Sequence, residues 1–176
     1  HEYRNAIVTG DARLLAERVP DESVDLVFTD PVYERMDDYY WLGRMAARVL
    51  KPDGHLLVFC GTGWKAQVIR AIEGPGLTYL WDLIVDTRSA GTQIWDLKII
   101  CVQLSCIVAG RQRSPMGWTR DLLNGSRRQQ HANHVWHKGE HETRQVIECL
   151  CATDNVILDP FTGGGTIPAV CKQLGR

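Results

Sequence analysis

The chain has 176 residues and a formal charge of −1, with 44% hydrophobic and 23% charged residues. This length fits a single domain over residues 1–176 with a buried core, and the ordinary composition excludes disordered, collagen-like and coiled-coil chains. The charge excludes a globally basic nucleic-acid binder but leaves room for a local basic patch.

The six cysteines form no Cys-x-x-Cys pair, and several lie in apolar segments. They predict reduced core thiols of an intracellular protein rather than a disulfide framework. The start of the chain has no apolar signal region, and no apolar run approaches the roughly 18 residues that a membrane span needs. We therefore expect the protein in the cytoplasm.

Strands and helices alternate along the first part of the chain. A short strand is predicted at residues 6–9, followed by a helix that Pro20 closes. The apolar strand 24–28 comes next, and the helix over residues 34–50 follows it. The residues expected to face the core from these two helices are Leu14, Leu15, Val19, Tyr40, Met45, Val49 and Leu50.

The alternation continues after a predicted turn, Lys51-Pro52-Asp53-Gly54. The segment HLLVFCG is a strand, and residues 64–72 form a helix that stops at a Gly-Pro-Gly turn. Residues 79–86 and 97–109 are rich in β-branched residues, with a loop at 87–93 between them. A helix at 142–150, a strand at 155–158 and a final helix complete an α/β sheet that we expect to have helices on both faces.

Residues 110–136 interrupt this pattern, because they are polar and turn-rich and hold five arginines against a single acid, Asp121. We expect a small variable insertion there, either a basic surface that contacts a partner or an ordinary solvated loop. Its arginines and the tryptophan among them are Arg111, Arg113, Trp118, Arg120, Arg127 and Arg128.

The strand at 24–28 runs into the turn Asp30-Pro31-Val32-Tyr33. Proline cannot donate a hydrogen bond to a sheet, so the strand ends there. Ligands of open α/β sheets bind outside the carboxyl ends of the strands. These residues therefore predict an active-site edge, with an ordinary strand-to-loop turn as the alternative.

A second strand, at 155–158, enters the glycine-rich turn 159–166 before a helix. In this arrangement the backbone can pass close to a nucleotide-like ligand at the helix amino terminus. No lysine follows the glycines, so a P-loop is not predicted, and the GxGxxG dinucleotide fingerprint is absent.

Taken together, VILDPFTGGGT resembles the FxGxG cofactor motif, and TDPVY the (D/N/S)PP(Y/F/W) catalytic motif, of the amino-methyltransferases. The catalytic motif comes first along the chain, as in the permuted beta class of DNA amino-methyltransferases. The segments GDARLLAERVPDESVDLVFTDPVY, LKPDGHLLVF and LDPFTGGGTIPAVCKQLGR are typical of that class. The resemblance covers nearly the whole chain except its variable middle and implies a Rossmann-like methyltransferase sheet with circularly permuted motif order.

The resemblance also implies roles for individual residues. Asp30 and the Pro31 carbonyl would accept the two N–H groups of a base amino group, aiming its nitrogen at the methyl sulfonium of S-adenosylmethionine. Tyr33 would stack on the flipped base. Asp11 would reach the cofactor's adenine, with a simple helix cap as its alternative role. The other implied cofactor residues are His137, Asp159, Pro160, Phe161, Gly163, Gly165 and Thr166.

The arginine-rich insertion then becomes a target-recognition region whose phosphate contacts position double-stranded DNA. It is short for reading a site alone, so a homodimer is a reasonable expectation. The four histidines at 131, 134, 137 and 141 have no cysteines or acids at matching intervals, and we expect no metal site there.

The chain departs from the family pattern at three places. Val32 replaces the second proline of the catalytic motif. His141 and Glu142 replace the Lys and Pro of a His-x-x-x-Lys-Pro segment that begins at His137. The sequence stops at Leu174-Gly175-Arg176, where this family continues into a strand that lies between those at 155–158 and 6–9, so either the sequence is trimmed there or residues from elsewhere fill the gap.

We expect adenine N6 as the target, because an Asp-first catalytic motif is commoner in the adenine enzymes, with cytosine N4 as the alternative. A second class is a non-catalytic nucleic-acid-binding module that keeps the fold but has lost catalysis through these departures. A third is a methyltransferase for RNA or a protein amide, and the permuted motif order argues against it. The fold by itself cannot separate these classes.

Overall fold

The computed structural model describes residues 5–87, 91–113, 117–125 and 139–176. Its strands are β1 (Val24–Thr29), β2 (Leu50–Cys60), β3 (Thr78–Asp86), β4 (Thr92–Ile94), β5 (Ile99–Cys101), β6 (Gln103–Gly110), β7 (Leu122–Asn124) and β8 (Ile157–Leu158). Its α-helices are α1 (Ala12–Ala16), α2 (Met36–Val49), α3 (Lys65–Glu73), α4 (Glu140–Leu150) and α5 (Thr166–Gln173), and a 3-10 turn at Thr62–Trp64 precedes α3.

Six of the strands form one sheet in the order β7-β3-β6-β2-β1-β8, and β4 and β5 form a separate hairpin. β1 is parallel to β2 and β8, and β3 is parallel to β7. β6 is antiparallel to both β2 and β3. The other five strands of this sheet therefore share one direction and end at the same side, which we call the carboxyl edge.

The helices cover both faces of the sheet, as the sequence predicts. Along β1 and β2, successive side chains point to opposite faces. Val27 and Val58 pack in the cluster that α1, α2 and α3 cover. Phe28 and Phe59 pack in the cluster beneath α4 and α5, where their ring centroids lie 5.5 Å apart. Both clusters are fully buried at their centres, so the sheet is fixed from both sides.

Of the core contacts predicted for the helix at 34–50, Met45 and Val49 in α2 are buried, and Leu50 is buried at the start of β2. The prediction is wrong at Tyr40, which is 48% exposed. Tyr39 is buried in its place and donates a hydrogen bond from its hydroxyl to the Phe59 carbonyl, at 3.0 Å. The reason is helical phase. Positions 39, 42, 46 and 49 follow one another at spacings of three, four and three residues and so share one face of the helix, whereas residue 40 points about 100° away from residue 39.

The strand predicted at residues 6–9 is not formed, and those residues are exposed. In the sheet, β8 pairs with β1 alone among the described strands and forms one border. A strand at 6–9 needs a further strand between it and β8, and the described residues supply none. Among the described residues no strand follows the helix after the glycine turn, so residues 6–9 have no strand beside β8 with which to pair.

Three other segments differ from the sequence-based expectation. The predicted turn at Lys51–Gly54 lies inside β2, where pairing with β1 jumps from Val24–Leu50 to Leu26–His55. The hairpin of β4 and β5 replaces the end of the predicted loop at 87–93 and the beginning of the predicted strand segment at 97–109. β7 is a short strand within the insertion at 110–136. The extension of β2 and the strand β7 depend on pairing partners distant in sequence, which local periodicity does not reveal. β4 and β5 pair with each other locally, from Ile94–Ile99 to Thr92–Cys101.

All six cysteines have free thiols. Within the described ranges, no helix has the length and apolar character to cross a membrane.

Candidate active site at the carboxyl edge

The two motif turns meet at the carboxyl edge. β1 and β8 are neighbouring parallel strands, with Val27 opposite Leu158, so the residues that follow them emerge side by side. The Thr29 hydroxyl donates to Asp159 Oδ1 at 2.6 Å. The Phe161 N–H donates to Thr29 Oγ1 at 3.2 Å and to Asp159 Oδ1 at 3.1 Å. A single buried hydroxyl therefore connects the end of the catalytic strand to the glycine turn.

Asp159 is a half-buried carboxyl with a perturbed acidity. Burial raises its pKa to about 6, the hydrogen bonds from Thr29 and Phe161 act to lower the pKa, and the nearby Asp30 raises it further. Two acids close together in a partly desolvated site give it a negative potential. Such a site favours a ligand that carries positive charge.

Asp30 and Tyr33 form a coupled pair after β1. Oδ1 of Asp30 is buried, and the Tyr33 hydroxyl is hydrogen bonded to this side chain. Burial and then the charge of Asp30 raise the pKa of Tyr33 far above its ordinary value. Tyr33 is therefore a neutral donor that orients the Asp30 carboxylate at physiological pH. Pro31 between them is buried, whereas Val32 is exposed.

The Tyr33 ring packs against the loop that follows β2. A Cβ added to Gly61 would lie 3.2 Å from Tyr33 Cδ2, so a glycine leaves room for the ring at this point. The ring also borders the core cluster under α4 and α5. This packing fixes the ring beside Asp30 but leaves Tyr33 half-exposed, which is compatible with the expected contact to a base.

The glycine turn needs glycine for its backbone conformation. Gly163 has φ +48° and Gly165 has φ +81°, both in the left-handed region, which side chains with a Cβ disfavour. Gly165 is the N-cap of α5. Pro160 and Thr166 stand on either side of this turn. The turn thus exposes backbone groups at a helix amino terminus, an arrangement suited to polar or anionic parts of a ligand.

One side of the glycine turn is aromatic. The Phe161 and Trp41 rings meet edge to face, with centroids 5.7 Å apart. The Arg13 guanidinium lies 5.8 Å from the Trp41 ring centroid and pairs with the buried Asp38 carboxylate at 3.0 Å. Asp11 caps α1 by accepting the Arg13 N–H at 2.8 Å. The helix-cap role of Asp11 is therefore confirmed. Arg13, whose N–H Asp11 accepts, also contacts the Trp41 ring with its guanidinium.

The described residues fit the cofactor that the motifs imply. Asp159 and Asp30 provide negative charge for a cationic group, and Phe161 with Trp41 provides aromatic surface for a flat ring. Gly163 and Gly165 allow close approach of the backbone. Sequence reasoning missed Thr29, Arg13 and Trp41. Thr29 directly precedes the catalytic motif, which is the one signal that pointed to it, whereas Trp41 stands in an amphipathic helix without a motif.

Of the insertion's described arginines, Arg111 is held away from the carboxyl edge. Arg111 pairs with Glu22 at 2.7 Å and donates to the Ala47 carbonyl at 2.7 Å. It follows Gly110, which is paired with His55 at the opposite end of β2 from Cys60. Arg111 therefore has a structural role far from Asp30. Arg113 and Arg120 are exposed, and Trp118 is 99% exposed.

Arg127, Arg128 and His137 lie outside the described residues, as do His131 and His134. Of the remaining departures from the family motif, His141 is exposed, and the Glu142 carboxylate accepts the Gly139 N–H at 2.9 Å. Glu142 thereby caps α4. No group of three or more potential metal ligands occurs within the described part of the chain.

Comparisons with known proteins agree with this arrangement. A family model described as a methyltransferase domain matches residues 1–58. The Type II methyltransferase M2.LlaDCHI of Lactococcus lactis subsp. cremoris is 26% identical, over 100% of this chain and 84% of the relative.

Two solved structures have the same fold. The M1.HpyAVI-SAM complex superposes with a TM-score of 0.77 at 18% identity, covering 95% of this chain and 87% of the other. The cytosine-N4-specific PvuII DNA methyltransferase gives a TM-score of 0.82 at 18% identity, covering 96% and 78%. These two matches confirm the Rossmann-like methyltransferase fold.

Proposed function

We propose that this protein transfers a methyl group from S-adenosylmethionine to the exocyclic amino group of a base in double-stranded DNA, most simply adenine N6. The observation that carries the proposal is the hydrogen-bonded junction of Thr29, Asp159 and Phe161. It holds a turn of the catalytic type against a turn of the cofactor type. A direct transfer between two bound molecules needs such a junction, because the reacting atoms must meet at about 3 Å.

On the cofactor side, Asp159 would attract the positively charged methionine part, and the backbone at Gly163 and Gly165 would pass beside it. Phe161 and Trp41 would border the site. Asp11, at the cap of α1, is proposed as a contact to the adenine amino group. When bound, the cofactor supplies an electrophilic methyl group on a sulfonium.

On the substrate side, Asp30 and the Pro31 carbonyl each accept one N–H of the base amino group. This draws the nitrogen lone pair out of conjugation with the ring and makes the nitrogen a better nucleophile. Tyr33 orients the Asp30 carboxylate and offers its ring to the extruded base. Asp30 would also take the surplus proton from the amino nitrogen once that nitrogen has gained the methyl group, and would pass the proton to water.

Exposed Arg113, Trp118 and Arg120 remain proposed contacts to the DNA, and Arg127, Arg128 and His137 keep the roles that the motifs imply. Arg111 is less suited to binding phosphate, because its guanidinium is engaged with Glu22. We propose the cytoplasm as the location of the reaction, and a homodimer as the means of presenting a larger DNA-binding surface. The similarity to the Type II methyltransferase M2.LlaDCHI and to the PvuII DNA methyltransferase supports a role in DNA modification.

Cytosine N4 is a second candidate for the target, and it is favoured by the fold similarity to a cytosine-N4-specific enzyme. Adenine N6 is preferred here because the catalytic motif begins with Asp30. Both bases present an amino group with the same hydrogen-bonding needs. The two candidates differ in the product rather than in the residues that act.

Product identification tests the proposal. The protein is incubated with isotopically labelled S-adenosylmethionine and unmethylated bacterial genomic DNA, the DNA is digested to nucleosides, and the labelled nucleoside is identified by mass. We expect labelled N6-methyladenine nucleoside. Labelled N4-methylcytosine nucleoside would establish the second candidate. Unlabelled DNA from a folded protein that binds the cofactor would instead favour a DNA-binding module without catalysis.

A further inference from the structure

The hairpin formed by β4 and β5 stands on the same edge of the sheet as the candidate active site. It connects β3 to β6 at the end where Asp86 is paired with Gln103. Its base is closed by Thr87, whose N–H and hydroxyl donate to the Val102 carbonyl at 3.0 Å and 2.8 Å. The hairpin is thus an outward extension of the carboxyl edge.

A single loop separates the hairpin from the catalytic turn. Cys101 Sγ lies 3.6 Å from Thr62 Oγ1 in the loop after β2. Gly61 of the same loop lies against the Tyr33 ring. The hairpin and Asp30 therefore flank one loop and face the same side of the molecule.

The hairpin is unusually apolar for an exposed segment. Five large apolar side chains of the hairpin and its base are between 45% and 70% exposed, and they are Trp95, Leu97, Ile99, Ile100 and Val102. Lys98, at the tip, holds its ammonium 5.6 Å from the Trp95 ring centroid. A cluster of this kind on a protein surface marks a binding site rather than ordinary surface.

We propose that the tip of this hairpin enters the DNA duplex beside the base that is flipped towards Asp30. This inference rests on the proposed function and names the element that contacts the substrate. A base can reach Asp30 only from the carboxyl edge, so the duplex has to lie across that edge and meet the hairpin. A second copy of the protein on these side chains would cover the entrance.

The side chains at the tip of the hairpin are chemically suited to contact a DNA duplex. Proteins that deform DNA insert apolar side chains between base steps, and aromatic rings stack on bases without regard to sequence. Trp95 and Leu97 supply such groups, and Lys98 supplies a cation next to them for the phosphates. Three-residue strands rise by roughly 10 Å, which is comparable with the minor-groove depth of about 7.5 Å through which such side chains are inserted.

Kinetics of variants test the inference. Trp95→Ala and Leu97→Ala are compared with Trp81→Ala, which removes another exposed tryptophan, in the middle of β3. The measured quantities are the KM for unmethylated genomic DNA and the Kd for S-adenosylmethionine. We expect Trp95→Ala to raise the KM for DNA about tenfold, as for loss of one stacking contact, with an unchanged Kd for the cofactor. Trp81→Ala should leave both quantities unchanged.

The possible failures are distinct. If the wild-type protein methylates DNA but both tip variants behave like Trp81→Ala, the hairpin inference is overturned and the proposed function stands. If the wild-type protein binds the cofactor and does not methylate DNA, the proposed function fails, and the inference with it. If Trp95→Ala converts a dimer to a monomer in sedimentation while the KM for DNA stays constant, the hairpin is a self-association surface and the inference is wrong.

Discussion

Thr29 shows how much the candidate site depends on one small side chain. Its hydroxyl is fully buried, donates to Asp159 Oδ1 and accepts the Phe161 N–H. The hydroxyl thus acts as both donor and acceptor, and its two partners, Asp159 and Phe161, lie at the start of the glycine turn. Because burial makes an unmade hydrogen bond costly, Thr29 acts as a positioning residue for the cofactor side of the site.

Replacing Thr29 by valine keeps its shape and removes both hydrogen bonds. We expect Thr29→Val to lower the free energy of unfolding by about 1–3 kcal/mol, because a carboxylate oxygen and an N–H each lose a buried partner. It should also weaken cofactor binding, as measured by calorimetry. Thr29→Ser retains the hydroxyl and serves as the control. Equal stability and equal cofactor affinity of the two variants would show that the hydroxyl does not position the turn.

Asp159 should make stability depend on pH in a defined direction. Its pKa is raised from 3.8 to about 6 on folding, so the folded state favours the protonated carboxyl. The stability that this group contributes is fully present below about pH 4 and is lost as the pH rises through about 6. Asp159→Asn does not titrate in this way.

The free energy of unfolding of Asp159→Asn should therefore rise relative to wild type between pH 4 and pH 7, by at most about 3 kcal/mol. Urea unfolding at both pH values measures it, with Asp37→Asn as an exposed control. A difference between variant and wild type that is the same at pH 4 and pH 7 would contradict a raised pKa of Asp159.

At the scale of elements, the packing of α2 on α3 depends on a glycine. A Cβ at Gly43 would lie 3.0 Å from the Ala71 carbonyl oxygen and 3.1 Å from Ile72 Cα. Both neighbours are backbone atoms, so they cannot move aside as a flexible side chain would. The two helices therefore approach each other more closely than any residue with a Cβ allows without a shift.

Gly43→Ala should destabilise the protein by about 1–2 kcal/mol, because overpacking exceeds the gain of up to about 1 kcal/mol from better helix propensity. Thermal and urea unfolding measure the change. Gly63→Ala is the matched control, since a Cβ at Gly63 meets nothing within 4 Å. If Gly43→Ala were as stable as the control or more stable than wild type, the contact between the helices would not limit the residue at this position.

The sequence predicts the elements that have strong local periodicity and misses those that depend on distant partners. β1, α2, the strand part of β2 and both motif turns follow from apolar runs and punctuating Pro and Gly. The strand at 6–9 is not formed because it has no neighbour. The hairpin is missed because most of β4 falls in the polar segment predicted as a loop at 87–93, and β5 falls in the apolar run predicted as one strand. The sequence predicts Arg111 as part of a basic surface, yet the sheet places it at the opposite end of β2 from Cys60, paired with Glu22.

At the scale of the whole molecule, the direction of the strands explains why the site forms where it does. Five of the six strands in the main sheet end at the carboxyl edge, and β6 alone runs the other way. Asp30, Asp159 and the hairpin therefore come together from distant parts of the sequence. The resemblance to the amino-methyltransferases implies that the two turns serve one site, whereas the positions of the hairpin and of the Trp41 ring could be found only from the fold.

The central claim is that Asp30 acts in methyl transfer. The most direct test is the single-turnover rate of transfer to unmethylated genomic DNA by wild type, Asp30→Asn and the exposed control Asp37→Asn, with cofactor and DNA binding measured separately. We predict that Asp30→Asn lowers the rate by about a hundred- to a thousandfold with little change in either binding constant, and that Asp37→Asn behaves as wild type. Transfer by Asp30→Asn at the wild-type rate would contradict the claim.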